Sequence, residues 1–153
     1  MIRYRTGDIF SIGPSENSFW FRGRLKHCLI EPESNQIVLF GNDLYDILDS
    51  TTLIGRDSHS LGVSGLQHSA TGKPIITGKY KGSGTRLKAS LELASQLDPI
   101  VFRSEFEFET ERLTERIRAT ASMQLDISIT WRYVREGASD SEYRKEGIVW
   151  RQE

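Results

Sequence analysis

Apolar and polar residues alternate along several short segments of the chain. The clearest segments are 19–26, 102–109 and 125–133, in which mainly apolar or aromatic residues occupy every second position. Because neighbouring side chains of a β-strand point to opposite faces, this pattern indicates strands with one buried face. Residues 36–40 form a short apolar segment that predicts another strand, and weaker patterns predict strands at residues 2–5, 46–54, 60–66, 74–81 and 146–151. The dominant periodicity is therefore that of a β-protein.

Turn-forming residues separate these segments, and they are found at 13–15, 31–35, 41–43, 69–74 and 82–84. Short strands joined by turns rich in Gly and Pro predict an antiparallel barrel or sandwich, here of about eight to ten strands. Two segments have helical spacing instead. The first, 85–96, is expected to pack outside the barrel or to plug one end. The second, 110–120, is a helix or a long charged connection of a hairpin.

Size and charge limit the class of protein. The 153 residues predict a single domain, 1–153. The 20 basic and 21 acidic residues give a net charge of −1, so we expect neither a nucleic-acid nor a membrane partner. The start of the chain lacks an apolar signal-peptide stretch, and the one cysteine, Cys28, excludes an internal disulfide. These features favour a cytoplasmic location, and a homodimer is left open.

No known cofactor or metal motif is present in the sequence. The glycine-rich stretch 78–84 lacks the spacing of a phosphate-binding loop, so we interpret it as a turn. Nothing in the spacing of His27, His59 and His68 brings three ligands together, which is what a metal site requires. We therefore expect no metal and no cofactor.

Two predicted strands carry polar side chains that suit a binding pocket. In 19–26, Trp20, Arg22 and Arg24 share one face, which either holds an anionic group or forms an outer wall. In 102–109, Arg103 shares a face with three glutamates. That face is solvated if the phenylalanines point inward, or it supplies a tuned acid or base if the cavity is wet.

Asp49 lies among Leu, Ser and Thr in the predicted strand 46–54. A single carboxylate in such surroundings is a candidate general base, and the alternative is an aspartate that caps a turn.

Three stretches, in order, resemble the family known as domain of unknown function 3237, small bacterial and fungal proteins. Together they extend from residue 19 to residue 110, a span of about 60% of the chain. They are 19–25; 48–49 with 56–57 and 63–68; and 91–99 with 102–104 and 108–110. The resemblance implies an all-β, antiparallel lipocalin-like (calycin) β-barrel with one or two short helices. Some fungal relatives look like biosynthetic enzymes that close oxygen-containing rings on polyketides, which needs an acid and a base but no cofactor.

The resulting hypothesis is a cofactor-independent cyclase or isomerase of secondary metabolism, acting on an aromatic or polyketide-like small molecule inside the barrel. Asp49 would take a proton, and Arg22 or Arg103 would stabilise the oxyanion. The residues expected to contact substrate are Trp20, His59, His68, Phe106 and Trp131. The alternatives are a non-catalytic carrier barrel with an apolar cavity and an interaction domain that uses its edge strands.

Overall fold

The computed structural model describes residues 7–54, 76–95, 97–133, 148 and 150–153. These residues contain eight strands and two α-helices. The strands are β1 (Asp8–Ile12), β2 (Phe19–Arg24), β3 (Leu29–Ile30), β4 (Ile37–Leu39), β5 (Ile76–Lys81), β6 (Lys88–Ser95), β7 (Asp126–Tyr133) and β8 (Trp150–Gln152). The helices are α1 (Gly41–Asp49) and α2 (Arg103–Thr120), with 3₁₀ turns at Leu25–His27 and Gly84–Arg86.

The largest sheet has four strands in the order β7-β6-β5-β8. β5 and β6 are antiparallel, whereas β6 pairs with β7, and β5 with β8, in parallel. Because parallel neighbours need a crossover connection, α2 links β6 to β7 across one face of the sheet. The remaining strands form two separate pairs, β1–β2 and β3–β4.

The predicted all-β barrel is therefore wrong. The described part of the chain is a mixed α/β structure with small sheets and no closed barrel. The buried residues form one apolar layer between a single face of the four-stranded sheet and the elements packed on it. Its fully buried members include Leu29, Leu39, Leu44, Leu48, Leu91, Leu93, Leu113 and Ile117. The opposite face of the sheet is polar, and a barrel interior does not exist among these residues.

Three secondary-structure predictions are corrected. The predicted helix 85–96 is strand β6, and its alternate residues Ala89, Leu91 and Leu93 are buried. The predicted strand 102–109 is the first half of α2. The predicted strand 46–54 begins in helix α1, which ends at Asp49.

Other predictions are confirmed. In β7, Ile127 and Ile129 are buried and Trp131 is half-buried on the same face, as the alternation indicated. The strand predicted at 74–81 is β5, and helix 110–120 is the second half of α2. The strands predicted at 2–5 and 60–66 lie outside the described residues. None of the described helices is long and apolar enough to cross a lipid bilayer.

Candidate functional site: a cationic cleft at one end of the main sheet

A cleft lies where the chain enters β6 and β7. Because these two strands are parallel, the segments that precede them meet at the same end of the sheet. The backbone N–H of Asp126 donates to the carbonyl oxygen of Leu87 at 3.3 Å and joins the two segments. The space beside this contact is a cavity of ≈ 780 Å³. It is lined by Thr85, Arg86, Leu87, Lys88, Arg118, Gln124, Leu125 and Asp126.

A glycine turn shapes one wall of the cleft. Gly82 has φ +77° and Gly84 has φ +52°, a region that side chains other than glycine rarely adopt. A Cβ atom at Gly82 would lie 2.5 Å from the carbonyl oxygen of Arg86, so the turn can close this tightly only with glycine. The tight turn places Thr85 and Arg86 beside the start of β6.

The loop at 31–35 holds this turn in place. The buried carboxylate of Glu31 accepts hydrogen bonds from the Ser34 hydroxyl and backbone N–H, both at 2.6 Å, and from the Gly84 N–H at 3.1 Å. These hydrogen bonds, those from Ser34 first, lower the pKa of Glu31 to about 2. The Ser83 hydroxyl adds a bond to the Glu33 carboxylate at 2.8 Å. The wall is therefore anchored by an ionised side chain.

Cations outnumber acids around the cavity. Arg86, Lys88 and Arg118 line it, and Asp126 is the one acidic lining residue, 4.0 Å from Arg118. Within the part of the chain that the structure describes, no carboxylate forms an ion pair with Arg86 or Lys88. The buried side chains of Leu87 and Leu125 form the floor. The arrangement favours an anionic ligand that rests on an apolar base.

The positive charge continues onto the polar face of the sheet. A second cavity, of ≈ 260 Å³, shares Lys88 and Asp126 with the first. There Lys81 lies opposite Lys88, and Ser90 lies between Lys79 and Ser128. Lys79 pairs with Glu153 at 3.6 Å. This smaller cavity adds hydroxyl donors and a second group of cations next to the cleft.

The three predicted catalytic residues occupy separate places. Arg22 is bonded to Asp43 at 2.6 Å and lies 4.5 Å above the ring of Phe40, at the start of α1. Asp49 ends the same helix, six residues after Asp43, which corresponds to about 9 Å along the axis. Arg103 begins α2, is largely exposed and pairs with Glu107 at 2.8 Å. None of these three side chains lines the cationic cleft.

The predicted substrate-binding aromatics are also divided. Trp20 is exposed on strand β2. Phe106 and Trp131 do meet, edge to face with ring centroids 4.9 Å apart, where α2 packs on β7. Since the indole N–H of Trp131 also donates to Thr110 Oγ1 at 2.8 Å, this pair joins helix to sheet. The other two candidates, His59 and His68, lie outside the described residues.

No group of three or more His, Cys, Asp or Glu in the described ranges could hold a metal ion. The lone cysteine, Cys28, is buried, and burial raises the pKa of its thiol. Its neighbour His27 is engaged at Nδ1 with the carbonyl oxygen of Ile148 at 2.7 Å, and burial lowers its pKa. Both side chains belong to the packing of the core.

Sequence reasoning missed the cations of the cleft, although one signal was available. Residues 79–88 contain four Lys or Arg and no acidic residue. The sequence around Arg118 did not indicate that this residue belongs to the same site. Arg118 lines the cavity with Arg86 and Lys88 only because the crossover from β6 to β7 brings it there. The basic composition of residues 79–88 could therefore have suggested Arg86 and Lys88, but not Arg118.

No protein-family model matches the chain, and no match was found among curated proteins. The resemblance to domain of unknown function 3237 remains a prediction.

Proposed function

We propose that this protein binds a small phosphorylated ligand in the cleft before β6 and β7. The observation that carries the proposal is the convergence of Arg86, Lys88 and Arg118 on one cavity whose lining holds a single carboxylate. The cyclase hypothesis needs Asp49 and either Arg22 or Arg103 around one substrate. Their separate positions favour the binding proposal.

The chemistry of the lining suits phosphate. An arginine guanidinium can donate two parallel hydrogen bonds to a phosphate, and a lysine adds a mobile point charge. Thr85 and Gln124 offer further neutral donors in the same lining. Arg118 lies in the last turn of α2, where the negative end of the helix dipole stabilises a cation. The end of the helix thus stabilises one of the three cations before a ligand binds.

The size of the cleft points to a small molecule. Ligand pockets commonly have volumes of about 300–1,000 Å³, and the ≈ 780 Å³ of this cavity falls in that range. Single-stranded nucleic acid is usually held by aromatic side chains on which its bases stack, and none lines this cavity. The net charge of −1 also disfavours nucleic acid as the ligand, because domains that bind nucleic acid are usually strongly basic.

Calorimetric titration at low salt tests the proposal with pyrophosphate and ATP as probes and adenosine as the probe without phosphate. We expect saturable binding of the two phosphate probes, weakened by added salt, and no binding of adenosine. Arg86→Gln, Lys88→Gln and Arg118→Gln should each weaken binding by about tenfold, the effect of losing one charge-assisted hydrogen bond.

Lys26→Gln is the matched control, because Lys26 is an exposed cation outside the cleft. It should bind both phosphate probes as the wild type does. The proposal fails if neither phosphate probe binds, or if the triple variant of Arg86, Lys88 and Arg118 binds them unchanged.

A further inference from the structure

Strands β1 and β2 form a two-stranded ribbon with one exposed apolar face. In the pairing register, Phe10 lies opposite Phe21 and Ile12 lies opposite Phe19. These four residues, here called the apolar ribbon face, have exposed fractions of 59%, 49%, 84% and 66%, in that order. The rings of Phe10 and Phe21 touch, with centroids 5.4 Å apart. The face is therefore continuous rather than a scatter of single apolar residues.

The ribbon is attached to the rest of the described structure at one end. Arg22 is bonded to Asp43, and Gly23 packs so closely on Asn42 that a Cβ atom would lie 3.0 Å from Asn42 Oδ1. Neither β1 nor β2 pairs with another strand among the described residues. An isolated two-stranded ribbon is only marginally stable in water, so its free end needs a covering surface.

The exposed area is enough for a specific interface between two copies. A large apolar or aromatic side chain can bury about 150–250 Å², so the exposed fractions leave about 500 Å² of the apolar ribbon face open. Two such faces packed together would bury about 1,000 Å², which is the lower limit for a specific protein interface.

We propose that two copies of this chain associate through their apolar ribbon faces, about a two-fold axis. An apolar face is complementary to itself, as a two-fold interface requires. The Asp8–Arg24 ion pair, 3.5 Å long, closes the end of the ribbon opposite its tip. The net charge of −1 leaves little repulsion between copies.

The charges at the ribbon tip favour a second copy over a lipid surface. Segments that lie on anionic membranes carry Lys or Arg beside their apolar face. The turn between β1 and β2, residues 13–18, contains Glu16 and no basic residue. An anionic lipid surface would therefore repel the tip of the ribbon.

Sedimentation velocity of the full chain, from about 1 to about 100 µM, tests the proposal. We expect the mass to rise from monomer to dimer with concentration. Ile12→Glu and Phe19→Glu should weaken the dimer by about 30-fold or more, with unchanged far-ultraviolet circular dichroism. Trp20→Glu is the matched control, because Trp20 is exposed on the opposite face of the same strand; it should dimerise as the wild type does.

A wild-type chain that stays monomeric over the whole range overturns the proposal, whatever the variants do. It is also overturned if Trp20→Glu disrupts the dimer as strongly as Phe19→Glu. Vesicles of phosphatidylcholine and phosphatidylserine provide the second measurement, and sedimentation of a monomeric chain with them would assign the face to lipid instead. Because Ile12 is the most exposed of the four residues, Ile12→Ser serves if the glutamate variants fail to fold.

Discussion

Replacing Trp131 with alanine tests how β7 is joined to α2. Trp131 is half-buried against the core and contacts Phe106 edge to face at 4.9 Å. Its indole N–H donates to Thr110 Oγ1 at 2.8 Å. The substitution therefore removes packing, an aromatic pair and a hydrogen bond at one point between the helix and the sheet.

The magnitude follows from these contacts. Truncation of a buried Phe or Trp to alanine costs about 3–5 kcal/mol. Because Trp131 is only half-buried, we expect Trp131→Ala to lower the free energy of unfolding by about 3 kcal/mol. Thr110→Val removes only the acceptor and should cost about 1 kcal/mol. The double variant should cost less than the sum of the two single variants, since they share that bond.

Urea unfolding followed by circular dichroism measures all three variants. Trp20→Ala is the matched control, and as an exposed residue it should change the free energy by about 0.5 kcal/mol or less. A loss below about 1 kcal/mol for Trp131→Ala would refute the placement of this side chain between α2 and β7. Equal losses for Trp131→Ala and Trp20→Ala would refute it as well.

Two further predictions concern the wall of the cleft. The pKa of Glu31 is about 2 in the folded chain, below its ordinary value of 4.5. The ionised carboxylate therefore stabilises the fold fully above about pH 4.5, and this stabilisation is lost as the pH falls towards 2. Glu31→Gln should remove this contribution to the pH dependence of stability, which is measured as the urea midpoint of unfolding between pH 2 and pH 4.5. A pH dependence equal to that of the wild type would contradict the prediction. Gly82→Ala should cost about 1–2 kcal/mol in urea unfolding and also weaken pyrophosphate binding, since its φ is positive and its Cβ would meet the Arg86 carbonyl. Gly84→Ala, also at positive φ but with open space at the Cβ, should cost less, and the reverse order would refute this account.

The sequence predicted best the strands that have one buried and one solvated face. In β7, buried Ile127 and Ile129 alternate with exposed Ser128 and Thr130, so the period of two could be identified without knowledge of any neighbour. β5 was located for a similar reason. Such strands carry the signal of their environment within a window of eight residues or fewer.

Ambiguous spacing explains the segments that were misassigned. Leu87 and Leu91 are four apart, which fits both a helix and alternate positions of a strand. Pairing with β5 and β7 makes this segment a strand. In α2, the buried residues Phe106, Leu113 and Ile117 follow helical spacing, whereas Phe108 is exposed. The short Phe-x-Phe alternation was therefore not the pattern of burial.

The prediction of a barrel was wrong for a related reason. Counting half-buried strands says nothing about whether they close into one sheet, and a parallel pair with its crossover helix is a non-local feature. The cleft depends on the same feature. Arg86 and Lys88 were visible as part of a basic segment, but Arg118 joins them only because β6 and β7 run in parallel.

The loop that anchors the cleft also explains why its positive charge is left for a ligand. Glu31 and Glu33 are the acidic residues bonded to the turn that carries Arg86. Their carboxylates accept hydrogen bonds from Ser34, Ser83 and Gly84, and neither forms an ion pair with a described cation. An acidic loop that packs against a basic turn would usually neutralise it. Here the acids bind the backbone and hydroxyls of the turn, so the wall is held in shape while Arg86 and Lys88 keep their charge available for an anion.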